Sequence, residues 1–190
     1  LFSVRPIPWT APDPDLFDAI MLTSANALLH GGDQLAQYTA MRAFAVGHTT
    51  ASAARKAGFS NVFHGSADVQ SLMAAIAGEG YRHVLHLAGQ HVRPVDPGEV
   101  RLTQVVVYAS DENATDLQSH IFPGDVLLVH SARAGRRLAA LIPPEQRATL
   151  NLVAISPAAL AAADDGWACA VAANSPDDGA MLAIAKQICQ

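Results

Sequence analysis

Apolar residues in this chain gather into short runs of strand length, each followed by an alanine-rich stretch of helical composition, and that alternation predicts an α/β fold. The clearest unit is Phe17-Asp18-Ala19-Ile20-Met21-Leu22-Thr23-Ser24-Ala25-Asn26-Ala27-Leu28-Leu29, and it recurs as Gly124-Asp125-Val126-Leu127-Leu128-Val129-His130-Ser131-Ala132-Arg133-Ala134. Each copy carries an acidic residue, an apolar run, a hydroxyl and then a helix-forming segment. It reads as a strand running into a helix, with Ser24 or Ser131 placed to cap the first free amides.

The recurrence extends past that turn. Ala45-Val46-Gly47 with His48-Thr49-Thr50-Ala51 is matched by Ala154-Ile155-Ser156 with Pro157-Ala158-Ala159-Leu160, Gly58-Phe59 by Gly166-Trp167, and Ser66-Ala67-Asp68 by Ser175-Pro176-Asp177. Landmarks in the same order at nearly the same spacing argue for two halves of one architecture.

Taken in order, Pro6, Pro8, Pro12 and Pro14 make residues 3–15 an extended connector only weakly tied to a sheet. Strands follow at 19–22, 43–46, 61–63, 84–87 and 103–108. The intervening helices are 25–38, interrupted at Gly31-Gly32, then 50–57, stopped by Gly58, and 69–77, capped by Ser66. Pro94, Pro97 and Gly98 leave a helix over 89–99 short or absent. The acidic stretch 110–116 reads as a second connector, and strands resume at 126–129, 152–155 and 168–172. The second half thus offers three strands against five in the first, so its missing pieces are expected upstream of Leu1.

Composition narrows the classes. At 190 residues and 51% hydrophobic the chain is long and apolar enough to bury cores, and no run reaches the roughly 18 apolar residues of a membrane helix. The start lacks a secretory signal pattern, so a cytoplasmic protein without a membrane partner is expected. A net charge of -5 argues against a nucleic-acid partner. Cys169 and Cys189 are too few for a disulfide framework and unsuited by spacing to zinc. His83 and His86, three apart on a strand, point to opposite faces, so His83, His86 and His91 do not read as a metal cluster.

Candidate chemistry lies at the strand-to-helix junctions. Ser24, Thr50 and Ser131 occupy that edge, where open parallel sheets bind ligands and free helix amides attract anions. The same residues also read as ordinary N-caps. Arg133, beside Ser131, is placed for a carboxylate contact. Gly47-His48-Thr49-Thr50 lacks the glycine spacing and lysine of a phosphate loop, and reads as an amide nest. Tyr108 ends the fifth strand, either as a packed aromatic or as a phenol able to donate a proton to a leaving oxygen.

On Leu22-Thr23-Ser24-Ala25-Asn26-Ala27, Ala45-Val46-Gly47 with Thr50-Ala51, Gly58-Phe59, Val105-Val106-Val107-Tyr108, His130-Ser131-Ala132, and Ala154-Ile155-Ser156 followed by Gly166, the chain resembles the uroporphyrinogen-III synthases. The resemblance implies two similar parallel-sheet α/β domains, flavodoxin-like, joined by a two-stranded linker with the active site in the cleft between them. The implied bounds are a linker strand at 1–8, a complete domain at 9–107, a second linker at 108–113 and a second domain at 114–190 without its opening strands. The implied reaction closes hydroxymethylbilane into uroporphyrinogen III, with loss of water and inversion of ring D, in a monomer with no cofactor and no metal. Tyr108 matches the tyrosine that assists departure of the hydroxyl, and Ser24, Thr50 and Ser131 match cleft hydroxyls. Ala25, His48, Thr49, Gly89, Gln90, Ala132, Arg133 and Ser156 complete the implied substrate contacts. Two departures stand out: Pro157-Ala158-Ala159 where hydroxyls are usual, and a short segment from Gly89 to Gly98. A module that binds a small anionic ligand without catalysis is the rival reading.

Overall fold

The computed structural model describes residues 1–190 apart from 66, 67, 93, 115 and 118. The chain divides into two compact units, one formed by Phe2–Glu112 and the other by Leu1 with Asn113–Gln190.

The first unit contains β1 (Phe2–Pro6), β2 (Ala19–Leu22), α1 (Ala25–His30), β3 (Arg42–Val46), α2 (Gly47–Lys56), β4 (Asn61–Gly65), α3 (Val69–Gly78), β5 (His83–Gly89) and β6 (Arg101–Glu112). These strands form one sheet in the order β1-β6-β5-β2-β3-β4. Strands β2 to β6 are parallel, while β1 lies antiparallel to β6. Numbered along the chain, the parallel strands run 3-2-1-4-5. That is the Rossmann order, not the 2-1-3-4-5 of a flavodoxin-like sheet, so the flavodoxin comparison is corrected.

Burial on both faces explains why β2 is apolar at every position. Ile20 and Leu22 face a cluster that includes Leu28 of α1, Ala54 of α2, Leu85 and Leu87, whereas Ala19 and Met21 face Leu72, Met73 and Ile76 of α3 with Phe44 and Val84. One residue of slip would exchange these faces. Burying each large aliphatic side chain contributes about 1.5–3 kcal/mol relative to exposure, so the register is strongly held. At the lower edge Asp18 accepts hydrogen bonds from the backbone N–H groups of Arg82 (3.0 Å) and His83 (2.9 Å). The His83 amide first, and then that of Arg82, holds this carboxyl below the usual range.

Several connectors are more ordered than the proline pattern suggests. β1 pairs from Phe2 against Glu112 to Pro6 against Tyr108, so both the expected weak connector and the acidic stretch beginning at Ser110 belong partly to the sheet. Proline at a terminal position of an edge strand is compatible with that pairing. Beyond it, Gln34 donates to the Trp9 carbonyl and accepts from the Ala11 N–H, both at 2.6 Å, and Tyr38 donates to the Pro12 carbonyl at 2.6 Å. The Trp9 ring stacks on Tyr38 and its indole N–H donates to the Gly31 carbonyl. Pro14–Leu16 form a single 3-10 turn capped by Asp13, where no helix was expected.

The Gly31-Gly32 interruption does divide the first helix, and Asp33–Tyr38 continue as a 3-10 segment. The expected Ser66 cap lies outside the described residues. The cap of α3 is Asp68, whose carboxylate accepts from the amides of Gln70 and Ser71. Thr50 does not sit at a junction, because α2 already begins at Gly47 and buries Thr50 in its first turns.

The second unit contains β7 (Val126–Val129), α4 (Ala132–Leu141), α5 (Pro144–Arg147), β8 (Asn151–Ala154), α6 (Pro157–Ala161), β9 (Cys169–Ala172) and α7 (Asp178–Ile188). Its strands form a parallel sheet in the order β7-β8-β9, the same order as β2-β3-β4. The internal likeness reaches the turns. Gly58 and Gly166 both adopt left-handed backbone, at φ 96° and 94°, and each delivers a buried aromatic, Phe59 or Trp167, to its core. Arg147 is buried in this unit, donating to the carbonyls of Ala139, Ile142 and Asp165 and lying over the Trp167 ring, a structural role.

Candidate functional site

Strand order reverses between β2 and β5, and ligands of open α/β sheets bind beyond the carboxyl ends of strands at such a point. A pocket of about 210 Å³ lies there, walled by Thr23 and Ser24 after β2, by His86 and Gly89 of β5, by His91, and by Tyr108 of β6, with Val69, Val92 and Val95 as its apolar side. It brings together Ser24, Gly89 and Tyr108 of the sequence-derived site.

Tyr108 owes its position to an irregularity in the sheet. β5 and β6 run in register from His83 against Arg101 to Ala88 against Val106, and then a shift sets Gly89 opposite Tyr108. The Gln90 N–H donates to the Tyr108 carbonyl at 2.9 Å, closing the turn. The phenol ring lies over the bare backbone of Gly89, with no room for a Cβ there: one would stand 2.5 Å from Cζ and 2.7 Å from the hydroxyl. The ring is also approached by His30, at 6.4 Å between centroids and tilted by 34°. Tyr108 is therefore within the strand, which continues to Glu112, and not at its end.

Thr23 and His86 were not among the sequence-derived contacts. The Thr23 hydroxyl and His86 Nε2 are 3.0 Å apart. His86 is 1% exposed, its Nδ1 has no hydrogen-bond partner, and burial pushes its pKa down to about 4. The ring is thus neutral at ordinary pH. The signal in the sequence is a histidine between Leu85 and Leu87, in the buried stretch of β5.

A second, larger groove of about 600 Å³ separates α1 from α2. Ala25, His48 and Thr49 line one part of it, with Leu28, Leu29, Ser52, Ala53, Ala57 and Lys56 along the rest. The first turn of α2 has no side-chain cap hydrogen bond, and the first amides of a helix have no partner within the helix itself. His48 stands edge-on to His64 at 6.0 Å. Thr50 is buried and does not line this groove.

In the second unit the carboxyl edge carries Ser131, Ala132, Arg133 and Ser156. Ser131 caps α4 by accepting from the Ala134 N–H at 3.1 Å, and Ser156 caps α6 by accepting from the Ala159 N–H at 3.3 Å. Ser24 does the same for α1 through the Asn26 N–H at 3.2 Å. The N-cap reading of these hydroxyls is the one observed, and a serine oxygen that accepts at a cap keeps its own hydrogen to donate. His130 pairs with Asp178 at 2.9 Å and not with the adjacent Ser131. Gln90 is exposed just past β5. Among the described residues no group of histidine, cysteine and carboxylate side chains is arranged for a metal ion, and no helix is long and apolar enough to cross a membrane.

Comparison with known proteins bears on these features. A crystal structure of uroporphyrinogen-III synthetase from Helicobacter pylori 26695 superposes with a TM-score of 0.73 at 16% identity, over 99% of this chain and 91% of that one, a likeness of fold. Comparison with curated proteins finds no match. The family model described as uroporphyrinogen-III synthase HemD matches residues 7–183, a span that includes both copies of the internal repeat and Tyr108 between them, and the chain belongs to that family.

Proposed function

We propose that this protein closes hydroxymethylbilane into uroporphyrinogen III, with loss of water and inversion of ring D, and that Tyr108 supplies the proton that lets the hydroxyl depart. The observation that carries the assignment of the residue is the placement of its phenol over Gly89 in the switch-point pocket. Donation from the phenol converts the terminal hydroxyl into leaving water and generates an electrophilic azafulvene. Attack by a substituted pyrrole carbon gives a spiro intermediate, whose fragmentation and recombination invert the last ring. The proton lost on rearomatisation restores the phenol.

The substrate is a flexible polycarboxylate, and most of the work is to hold it folded. The uncapped amides of α2 at His48 and Thr49, the cap hydroxyls of Ser24, Ser131 and Ser156, the α4 turn at Ala132 and Arg133, and the Gly89-Gln90 turn are the proposed contacts, with Ala25 as apolar floor. We read the two units as the family's two domains, with β1 and the far part of β6 as their two-stranded linker, a reading supported by the antiparallel register of Phe2–Pro6 with Tyr108–Glu112. The test is to supply fresh hydroxymethylbilane and separate the oxidised products. Type III product supports the assignment, and type I alone from folded protein refutes it in favour of an anion-binding module.

A further inference from the structure

We infer that His86 is a positioning residue, which sets the hydroxyl of Thr23 to donate to a substrate oxygen in the pocket shared with Tyr108. The inference rests on the synthase reading above.

His86 stands in register with Met21 on β2, and Thr23 follows two residues later, so alternation puts both side chains on one face of the sheet at its carboxyl edge. The 3.0 Å contact joins them. Packing alone does not call for histidine here. The ring is buried in a strand that runs Leu85-His86-Leu87, and Nδ1 is left without a partner, a defect that an aliphatic side chain would avoid.

The unpartnered atom also indicates the tautomer. An orphaned lone pair is a milder defect than an orphaned N–H, so Nδ1 is the unprotonated nitrogen and Nε2–H donates to the Thr23 oxygen. Occupied in this way, the Thr23 oxygen keeps its hydrogen for another acceptor, and Thr23 lines the pocket. Burial maintains this arrangement, because it keeps the ring uncharged through the range in which substrate carboxylates are ionised. The acceptor is an oxygen of the substrate, a carboxylate or the departing hydroxyl.

Two measurements test this on the full chain. In the first, kcat/KM for type III formation is compared among His86→Phe, Thr23→Val, the double variant and His86→Gln. The expected loss is about 10-fold for each single change, with the double variant within about twofold of either, because both remove one hydrogen bond. His86→Gln retains a donor and should recover most of the rate. Losses that multiply in the double variant, or a His86→Phe enzyme at the wild-type rate, would overturn the inference. In the second, the nitrogen-15 resonances of the labelled imidazole, read without substrate, should show an unprotonated Nδ1 and a protonated Nε2 from pH 8 to pH 5, on an approximate scale set by the depressed pKa, and Thr23→Val should move the Nε2 resonance. A protonated Nδ1 at neutral pH would overturn it. The spectrum does not depend on turnover, so a protein that makes no type III product would refute the synthase reading separately.

Discussion

The ring of Tyr108 rests on Gly89, and a Cβ at that glycine would lie 2.5 Å from the phenol Cζ. This contact joins the exit of β5 to the interior of β6 and fixes the phenol at the reversal of strand order. In the proposed reaction it makes residue 89 a steric determinant of where the phenol can deliver its proton. Gly89→Ala should therefore displace the ring and lower kcat by at least about 10-fold, as a small misplacement of a reacting group does. The loss of stability should stay within about 1–3 kcal/mol, the cost of modest overpacking. Gly78→Ala, at the end of α3 with open space around it, is the control and should leave activity unchanged. Steady-state kinetics with thermal melts of both variants check this.

Much of the architecture was legible because each signal was local. The run Ala19-Ile20-Met21-Leu22 is apolar throughout since both faces of β2 are covered, and Ser24 and Ser131 cap the helices that follow. What the sequence did not yield depended on contacts distant along the chain. The pairing of Phe2–Pro6 with Tyr108–Glu112 spans the whole first unit, and four prolines concealed it. Thr50 reads as a junction residue in the sequence because the start of α2 at Gly47 carries no capping side chain to mark it. Of the residues that line the switch-point pocket, Tyr108 and Ser24 are legible from motif and position. The Thr23–His86 pair is not, because a hydrogen bond across 63 residues leaves no periodic trace.

His86 also makes stability depend on pH. Its folded pKa lies near 4, below the 6.5 of an unperturbed histidine. Between these values the unfolded chain binds a proton that the folded protein refuses, so this residue's contribution is full above about pH 6.5 and is lost as pH falls toward 4. The span corresponds to roughly 3 kcal/mol. Across the pocket the nearby titratable groups are His91 and Tyr108. Denaturant unfolding between pH 7.5 and 4.5 should show stability falling with acidity, and His86→Leu should flatten that dependence by about this amount. An unchanged slope in the variant would assign the effect elsewhere.

Ser24 and Thr50 should separate binding from packing. Ser24→Ala removes the α1 cap, at a cost of about 1 kcal/mol in stability, and should also raise KM, because the hydroxyl borders the pocket. Thr50→Ala should lower stability to a similar extent, about 1 kcal/mol, with KM unchanged, because the side chain is buried behind the turn of α2. Calorimetric melts and saturation kinetics on the two variants distinguish these outcomes. A raised KM in Thr50→Ala at full stability would restore it as a substrate contact.

The Tyr108 phenol is proposed to release the substrate hydroxyl ahead of closure to the inverted isomer, and the rate of type III formation tests this most directly. Wild-type protein and Tyr108→Phe, matched for folding, are supplied with fresh hydroxymethylbilane, and the type III and type I products are separated over the first minutes. The wild type should give type III ahead of the spontaneous closure. Tyr108→Phe should form it about 10² to 10⁴-fold more slowly, the usual range for loss of a general acid, with type I from unassisted closure taking its place. Equal rates of type III formation by the two proteins would contradict the role given to Tyr108, and type I alone from the wild type would contradict the activity itself.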